Sequence, residues 1–120
     1  MNIALWVVAG LLALVFAGAG FAKLSTPKEK LEANPNMAWS KDVSAGLVKF
    51  IGAAEVAGAL GLILPQAFGI AEVLTPLAAV GLVLIMLGAI VTHARRKESQ
   101  AIVFNVVHGA LAAFVAAGRF

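Results

Sequence analysis

A single carboxylate lies near the middle of a long apolar stretch of this sequence. Glu55 is the only charged residue between Lys49 and Glu72. An ionisable side chain within a membrane span usually faces the other helices and pairs with a polar group, because an isolated charge in hydrocarbon is costly. A structural role is open, in which the carboxylate is bonded to His108, Asn105 or a protonated neighbour. A functional role is also open, either as a proton donor or acceptor or as the polar anchor of a lipophilic ligand.

Two polar residues of the last apolar block are the predicted partners of this carboxylate. Glu55 lies about 12 Å beyond Leu47 by helical rise, and His108 lies about 10 Å beyond Ala101. Asn105 precedes His108 by three residues and shares its helix face. A carboxylate beside a histidine suits proton exchange with a quinone-like molecule. We therefore predict a polar intramembrane pocket with Glu55 at its centre and His108 and Asn105 as its partners.

Three further residues complete the predicted pocket. Lys23 and His93 end apolar blocks on the same side, so we place them at its mouth. The alternatives are a Lys23 side chain that snorkels to the lipid headgroups and a His93 that is merely interfacial. Gly52 shares a helix face with Glu55 and leaves room beside it. None of these residues is assigned a catalytic role, so the sequence leaves open whether the chain is an enzyme.

The histidines and the missing cysteines restrict the cofactors. His93 and His108 differ in depth by about 10 Å, which disfavours a haem held between them. Glu55 and His108 alone are too few ligands for a metal site. The sequence contains no cysteine, which excludes thiol catalysis and cysteine-ligated clusters within this chain. We expect no metal and no intrinsic cofactor, and a quinone is the candidate bound molecule.

Four apolar blocks must position these residues. Hydrophobic residues make up 62% of the sequence, against about 45–50% in soluble domains. The blocks predict helices over 3–22, 47–64, 70–93 and 101–117 of a single domain, 1–120, with an amphipathic segment over 23–46. The first block also resembles a signal peptide, but it is long and no basic residue precedes it. The predicted fold is an all-α membrane protein, an antiparallel four-helix transmembrane bundle.

Basic residues predict the orientation of this bundle. Eight of the nine Lys and Arg residues lie in 23–49 and 94–100, and Arg119 is the ninth. By the positive-inside rule these two regions are cytoplasmic and both termini lie outside, in a bacterial-type cytoplasmic (inner) membrane. The basic residues form no stripe with interleaved aromatics, so nucleic acid is not an expected partner. The expected partners are the lipid bilayer, a quinone or lipid ligand, and a partner membrane protein or a second copy.

Three stretches of the sequence, 20–24, 51–62 and 88–93, resemble the DoxX-like family of small four-helix membrane proteins. Some relatives in that family are described as subunits of thiosulfate:quinone oxidoreductases or of other membrane oxidoreductase complexes, and eukaryotic relatives as chaperones for receptor assembly. The resemblance carries over five motif positions: Gly20, Lys23, Gly52, Glu55 and His93. A chain without cysteine departs from thiol-based sulfur chemistry, so the sulfur role is not transferred.

These observations give one leading function and two alternatives. The leading prediction is a membrane protein whose polar pocket binds a quinone-like or lipid ligand and supports a membrane oxidoreductase system. The main alternative is an assembly factor or scaffold whose small-residue faces pack on partner membrane proteins, without ligand chemistry. A small transporter is less favoured, because four helices leave little room for alternating access.

Overall fold

The chain folds into helices that are joined by short connections. A computed structural model describes residues 1–120, apart from the side chains of Pro35 and Asn36. The elements are α1 (Asn2–Ser25), α2 (Lys28–Ala33), a 3-10 segment (Pro35–Asp42), α3 (Ala45–Phe68), α4 (Leu74–Arg95) and α5 (Ser99–Arg119). Within the described chain no strand occurs, and α1, α3, α4 and α5 are long and apolar enough to cross a membrane. The predicted class, an all-α membrane protein with four transmembrane helices, is confirmed.

The four long helices form a ring. Helix α1 packs against α3 and α5, and α4 packs against the same two helices. The interior of the ring is an apolar core of tightly buried side chains, the largest of which are Phe16, Leu12, Leu62, Leu82 and Val115. The outward faces carry exposed large apolar side chains, such as Leu14, Leu84 and Val103. Such faces suit contact with lipid chains, so the protein is a multi-pass membrane protein.

Helix α3 does not end at Leu64 as predicted, but continues through Pro65 to Phe68. A proline inside a helix lacks the amide hydrogen that would bond to the carbonyl four residues earlier, here that of Gly61. The hydroxyl of Thr75 on α4 donates a 2.9 Å hydrogen bond to that carbonyl instead. The helix ends where Gly69 takes the left-handed conformation, with φ 66° and ψ 25°. A side chain from the next helix thus satisfies the group that Pro65 leaves open.

Helix α4 begins later than predicted, at Leu74 rather than at residue 70. Its first turn contains Pro76, and a proline is well tolerated there because the first amides of a helix have no intrahelical acceptor. Between the two helices, Ala71 takes a positive φ of 51°, which is incompatible with an α4 helix that begins at residue 70. The turn between α3 and α4 therefore occupies residues that the apolar pattern assigned to α4.

The Thr75 hydrogen bond gives a test of this hairpin. The change Thr75→Val keeps the shape of the side chain but leaves the part-buried Gly61 carbonyl without its donor. We expect the free energy of unfolding to fall by about 1–3 kcal/mol, the usual cost of an unsatisfied buried acceptor. Reversible unfolding in mixed micelles measures the change, and Thr75→Ser, which keeps the hydroxyl, is the control. A valine variant as stable as the parent would mean that Gly61 does not depend on this bond.

The predicted amphipathic segment, 23–46, is partly helical and packs on the bundle. Helix α1 runs into it as far as Ser25, so Lys23 belongs to the helix. Leu31 and Ser40 are buried, and Trp39 is half-buried. The side chains of Pro35 and Asn36, which also fall in this predicted segment, lie outside the described part of the structure. The described part of the segment thus covers one end of the bundle, and its predicted cytoplasmic location stays a prediction.

Candidate ligand-binding site

A cavity of about 930 Å³ lies at the end of the helix ring that holds Lys23 and His93, beneath the 3-10 segment. Its volume falls in the range of small-molecule sites, roughly 300–1,000 Å³. Apolar side chains form much of its wall, among them Phe16, Ile51, Ile85, Met86 and Phe104. Polar side chains also line it, among them Lys23, Glu55, His93, Glu98 and Asn105. An apolar chamber with a few convergent polar groups is typical of a ligand site.

Lys23 and Glu55 form a buried ion pair in this cavity. The Nζ atom of Lys23 donates to Oε1 of Glu55 over 2.5 Å, and the two residues are 9% and 2% exposed. The attraction between the two charges offsets part of the free-energy cost of removing each from water, a cost that would be large for either charge alone inside the bundle. The prediction that Glu55 pairs with His108 or Asn105 is therefore wrong. Lys23 also points into the bundle, and the alternative of a snorkelling lysine is wrong too.

Two glycines bring α1 and α3 close enough for this ion pair. A Cβ on Gly20 would lie 2.5 Å from the carbonyl oxygen of Gly52, and a Cβ on Gly52 would lie 2.8 Å from that of Gly20. Lys23 and Glu55 each follow their glycine by three residues and so lie on the same helix faces as the contact. Gly52 was predicted to leave room beside Glu55 for water, a partner side chain or a ligand. It lies outside the cavity lining, and the α1 backbone and the Lys23 side chain occupy that room.

Trp39 connects the ion pair to His93 at the covered end of the cavity. The Lys23 Nζ lies 5.9 Å from the centre of the Trp39 ring, within range of a cation–π interaction. The His93 ring meets Trp39 edge-on, with the ring centres 6.4 Å apart. His93 is only 8% exposed, which places it inside the site and not at an open interface. The 3-10 segment therefore contributes an aromatic wall to the cavity.

A chain of charged groups ties this segment to the turn between α4 and α5. The Arg96 guanidinium donates to Asp42 over 2.8 Å, and its Nε lies 3.4 Å from Oε1 of Glu98. The same Glu98 oxygen lies 2.8 Å from Nδ1 of His93. The hydrogen bond from His93, with the charge of Arg96 assisting, holds the pKa of Glu98 below its usual value. Glu98 is thus an ionised acceptor that fixes the His93 ring.

Asn105 presents an unpaired polar group to the cavity. The residue is 4% exposed, and its Nδ2 has no hydrogen-bond partner among the described residues. Buried amide groups in proteins are nearly always hydrogen-bonded, and an exception calls for an explanation. A ligand atom that accepts a hydrogen bond from Nδ2 would provide one.

His108, the remaining predicted site residue, does not join the others. It lies outside the cavity lining, and its Nδ1 is 2.7 Å from the carbonyl oxygen of Phe104, one turn earlier on α5. Its ring stacks on Phe104 with the centres 3.9 Å apart. Its depth along α5 resembled that of Glu55, but depth does not decide which way a side chain points. Of the six predicted site residues, the cavity collects Glu55, Lys23, His93 and Asn105.

The lining also includes Met37, Trp39 and Glu98, which were not among the six predicted site residues. Met37 and Trp39 stand out as apolar residues between charged ones, a pattern that also fits a surface anchor. Glu98 gives a weak signal, since it follows the basic turn directly and stands at the N-cap position of α5, before Ser99. Among the side chains that the structure describes, no three of His, Asp and Glu cluster as a metal site would require.

Comparison with known protein families identifies the family of this chain. A family model described as the DoxX-like family matches residues 7–115, which includes most of each long helix and the whole connecting segment. No curated protein and no solved structure matches the chain.

Proposed function

The chain belongs to the DoxX-like family, and on that premise we propose that its cavity binds a lipophilic molecule with a carbonyl-bearing head, of quinone or lipid type. In this proposal the protein supports a membrane oxidoreductase system, and the partner protein supplies the redox centre. It would lie in a bacterial-type cytoplasmic membrane with both termini outside, which places the cavity in the cytoplasmic half of the bilayer.

The observation that carries this proposal is the unpaired amide of Asn105. A buried N–H group without an acceptor costs about 1–3 kcal/mol, so a bound acceptor would recover that free energy. Quinone and lipid ester carbonyls are acceptors without N–H or O–H donors of their own, so they complement Nδ2. The apolar side chains of the cavity wall suit the ring or the acyl chain behind such a head.

The ion pair supplies the second part of the proposal, the exchange of protons. Quinone reduction takes up two protons with two electrons, and in this proposal the electrons come from the partner protein. Glu55 and Lys23 line the cavity and would carry protons to and from the bound head. His93 and Glu98 line the same cavity at its covered end, and they would connect the pair to the aqueous side.

Ligand binding is the experimental test. The change Asn105→Leu removes the amide, and we expect it to weaken binding of decylubiquinone at least tenfold, which corresponds to about 1.4 kcal/mol. Quenching of Trp39 fluorescence in a Trp6→Phe background measures the affinity. Native mass spectrometry with lipid extraction identifies any lipid or quinone that co-purifies with the protein.

His108→Leu is the matched control, since it removes a polar side chain one turn away on the same helix but outside the cavity lining. It should bind like the parent. A parent protein that binds neither decylubiquinone nor a co-purifying lipid would overturn the proposed function. An Asn105→Leu variant that binds like the parent would show that the Asn105 amide does not hold the ligand head, and the proposal depends on that bond.

The scaffold alternative is favoured by a different surface. An apolar groove of about 640 Å³ runs between the outer faces of α1 and α3, and Gly10, Ala13 and Ala17 line it on the α1 side. Small residues on such a face let a partner transmembrane helix approach closely. In that case Gly10→Leu would abolish recovery of a cross-linked partner helix, and Asn105→Leu would leave it unchanged.

A further inference from the structure

The ring consists of two helix pairs, α1 with α3 and α4 with α5, which are in close contact at the end away from the cavity. There Gly58 and Gly61 of α3 pack against Leu82 and Ala78 of α4. At the cavity end, side chains from the connecting segment bridge the pairs, such as Trp39 beside His93. The cavity therefore lies between the two pairs, and two seams lead from it toward the bilayer.

The seam between α1 and α5 is filled by aromatic rings. His108 meets the Phe16 ring edge-on, with the centres 6.4 Å apart, and stacks on Phe104. Phe104 lines the cavity itself. A flexible chain leaving the cavity by this route would have to displace stacked rings.

The seam between α3 and α4 contains open space beside the cavity. Ile85 and Thr92 lie seven and fourteen residues after Ala78, so they continue the face of α4 that contacts α3 at Gly61. Gly88 lies between them and lines the cavity. A Cβ placed on Gly88 would meet no atom within 4 Å. Leu47 lines the same cavity from α3 and is 44% exposed, so this wall reaches the outer surface.

Building on the proposed function, we infer that the apolar tail of the ligand leaves the cavity between α3 and α4, past Gly88, and lies in the bilayer. The head stays near Asn105, in the polar part of the cavity. A tail along this seam meets apolar side chains and then lipid, so its hydrocarbon is never exposed to water. Gly88 is then a specificity-determining position, because the space over its Cα admits ligands that carry a tail.

Filling that space tests the inference. Gly88→Leu places a side chain in the seam, and Gly81→Leu is the matched control. Gly81 lies two turns earlier on the same face of α4, also with nothing within 4 Å of an added Cβ, but outside the cavity lining. Three probes are compared: decylubiquinone, the same quinone head without a tail, and a lysophospholipid. We expect Gly88→Leu to weaken binding of the tailed probes at least tenfold and binding of the tailless head less than twofold. Gly81→Leu should bind all three probes like the parent.

Each other outcome has a definite meaning. If the parent binds none of the probes, the proposed function fails, and this inference fails with it. If the parent binds a tailed probe and Gly88→Leu binds it equally, the tail path is wrong while the proposed function stands. A Gly88→Leu variant that no longer binds the tailless head would also contradict the proposed tail path. So would a Gly81→Leu variant that no longer binds the tailed probes. If the parent takes the lysophospholipid and not the quinones, and Gly88→Leu loses it, the path holds for a lipid tail.

Discussion

Lys23→Met should destabilise the folded protein by about 3–5 kcal/mol, because it leaves the Glu55 carboxylate without its partner inside the bundle. The methionine keeps most of the length and volume of the lysine stem, so the lost charge is the main change. Glu55 is 2% exposed, so its carboxylate has little contact with water that could replace the lost lysine. Reversible unfolding in mixed micelles, followed by helical circular dichroism, measures the difference.

A surface lysine provides the control for this substitution. Lys30 is exposed on α2, and Lys30→Met should change the free energy of unfolding by less than about 0.5 kcal/mol. The double variant Lys23→Met/Glu55→Leu should recover most of the lost stability, since well-packed apolar residues often replace a buried pair at little cost. A Lys23→Met protein as stable as the parent would show that the charge of Glu55 is not held by Lys23.

The double variant also separates structure from function. A pair that is retained only for folding predicts a stable double variant that binds decylubiquinone like the parent. The proposed function predicts a stable variant that still holds the head through Asn105. That variant would no longer support proton-coupled quinone reduction by a partner oxidoreductase, because no ionisable group of the former pair remains to exchange protons with the bound head. The free energy of unfolding therefore tests the structural role of the pair, and turnover tests its role in proton exchange.

The four spans could be predicted because each depends on local composition. Apolar blocks of about 20 residues identify membrane helices without knowledge of the fold. Helix bounds are less local, as the end of α3 demonstrates. Pro65 is normally read as a stop signal, but Thr75, ten residues later, supplies the hydrogen bond to Gly61 that lets the helix continue. Such a partner becomes visible only when the next helix has been placed.

Four polar residues of the cavity lining could be predicted from their residue types, but the pairing of Lys23 with Glu55 could not. Glu55, Lys23, His93 and Asn105 were found because polar groups in apolar helices are costly and need a reason. Helical rise gave the depth of Glu55 but neither the rotation of the helices nor the neighbour of each. The Gly20–Gly52 contact decides the neighbour, since it sets α1 against α3 and brings the Lys23 side chain to Glu55. Trp39 reaches the site from a connection without helical periodicity, which no face argument could locate.

The Gly20–Gly52 contact leads to the second prediction with a large expected effect on stability. Gly20→Ala would place a Cβ 2.5 Å from the carbonyl oxygen of Gly52 and 2.8 Å from the Val56 side chain. Backbone cannot give way as a flexible side chain can, so the helices must separate. We expect a loss of about 1–3 kcal/mol from overpacking, toward the upper end because a backbone atom is the obstacle. Unfolding in mixed micelles measures it, with the Lys23→Met protein for comparison.

Gly18→Ala is the control on the same helix, because a Cβ there meets nothing within 4 Å. It should leave the protein as stable as the parent or stabilise it by up to about 1 kcal/mol, as alanine favours helix over glycine. Separating α1 from α3 also displaces Phe16 and Lys23, which line the cavity from α1, so Gly20→Ala should weaken decylubiquinone binding while Gly18→Ala does not. If the two alanine variants behave alike in both measurements, α1 and α3 do not approach through Gly20. The ion pair would then owe its formation to some other contact.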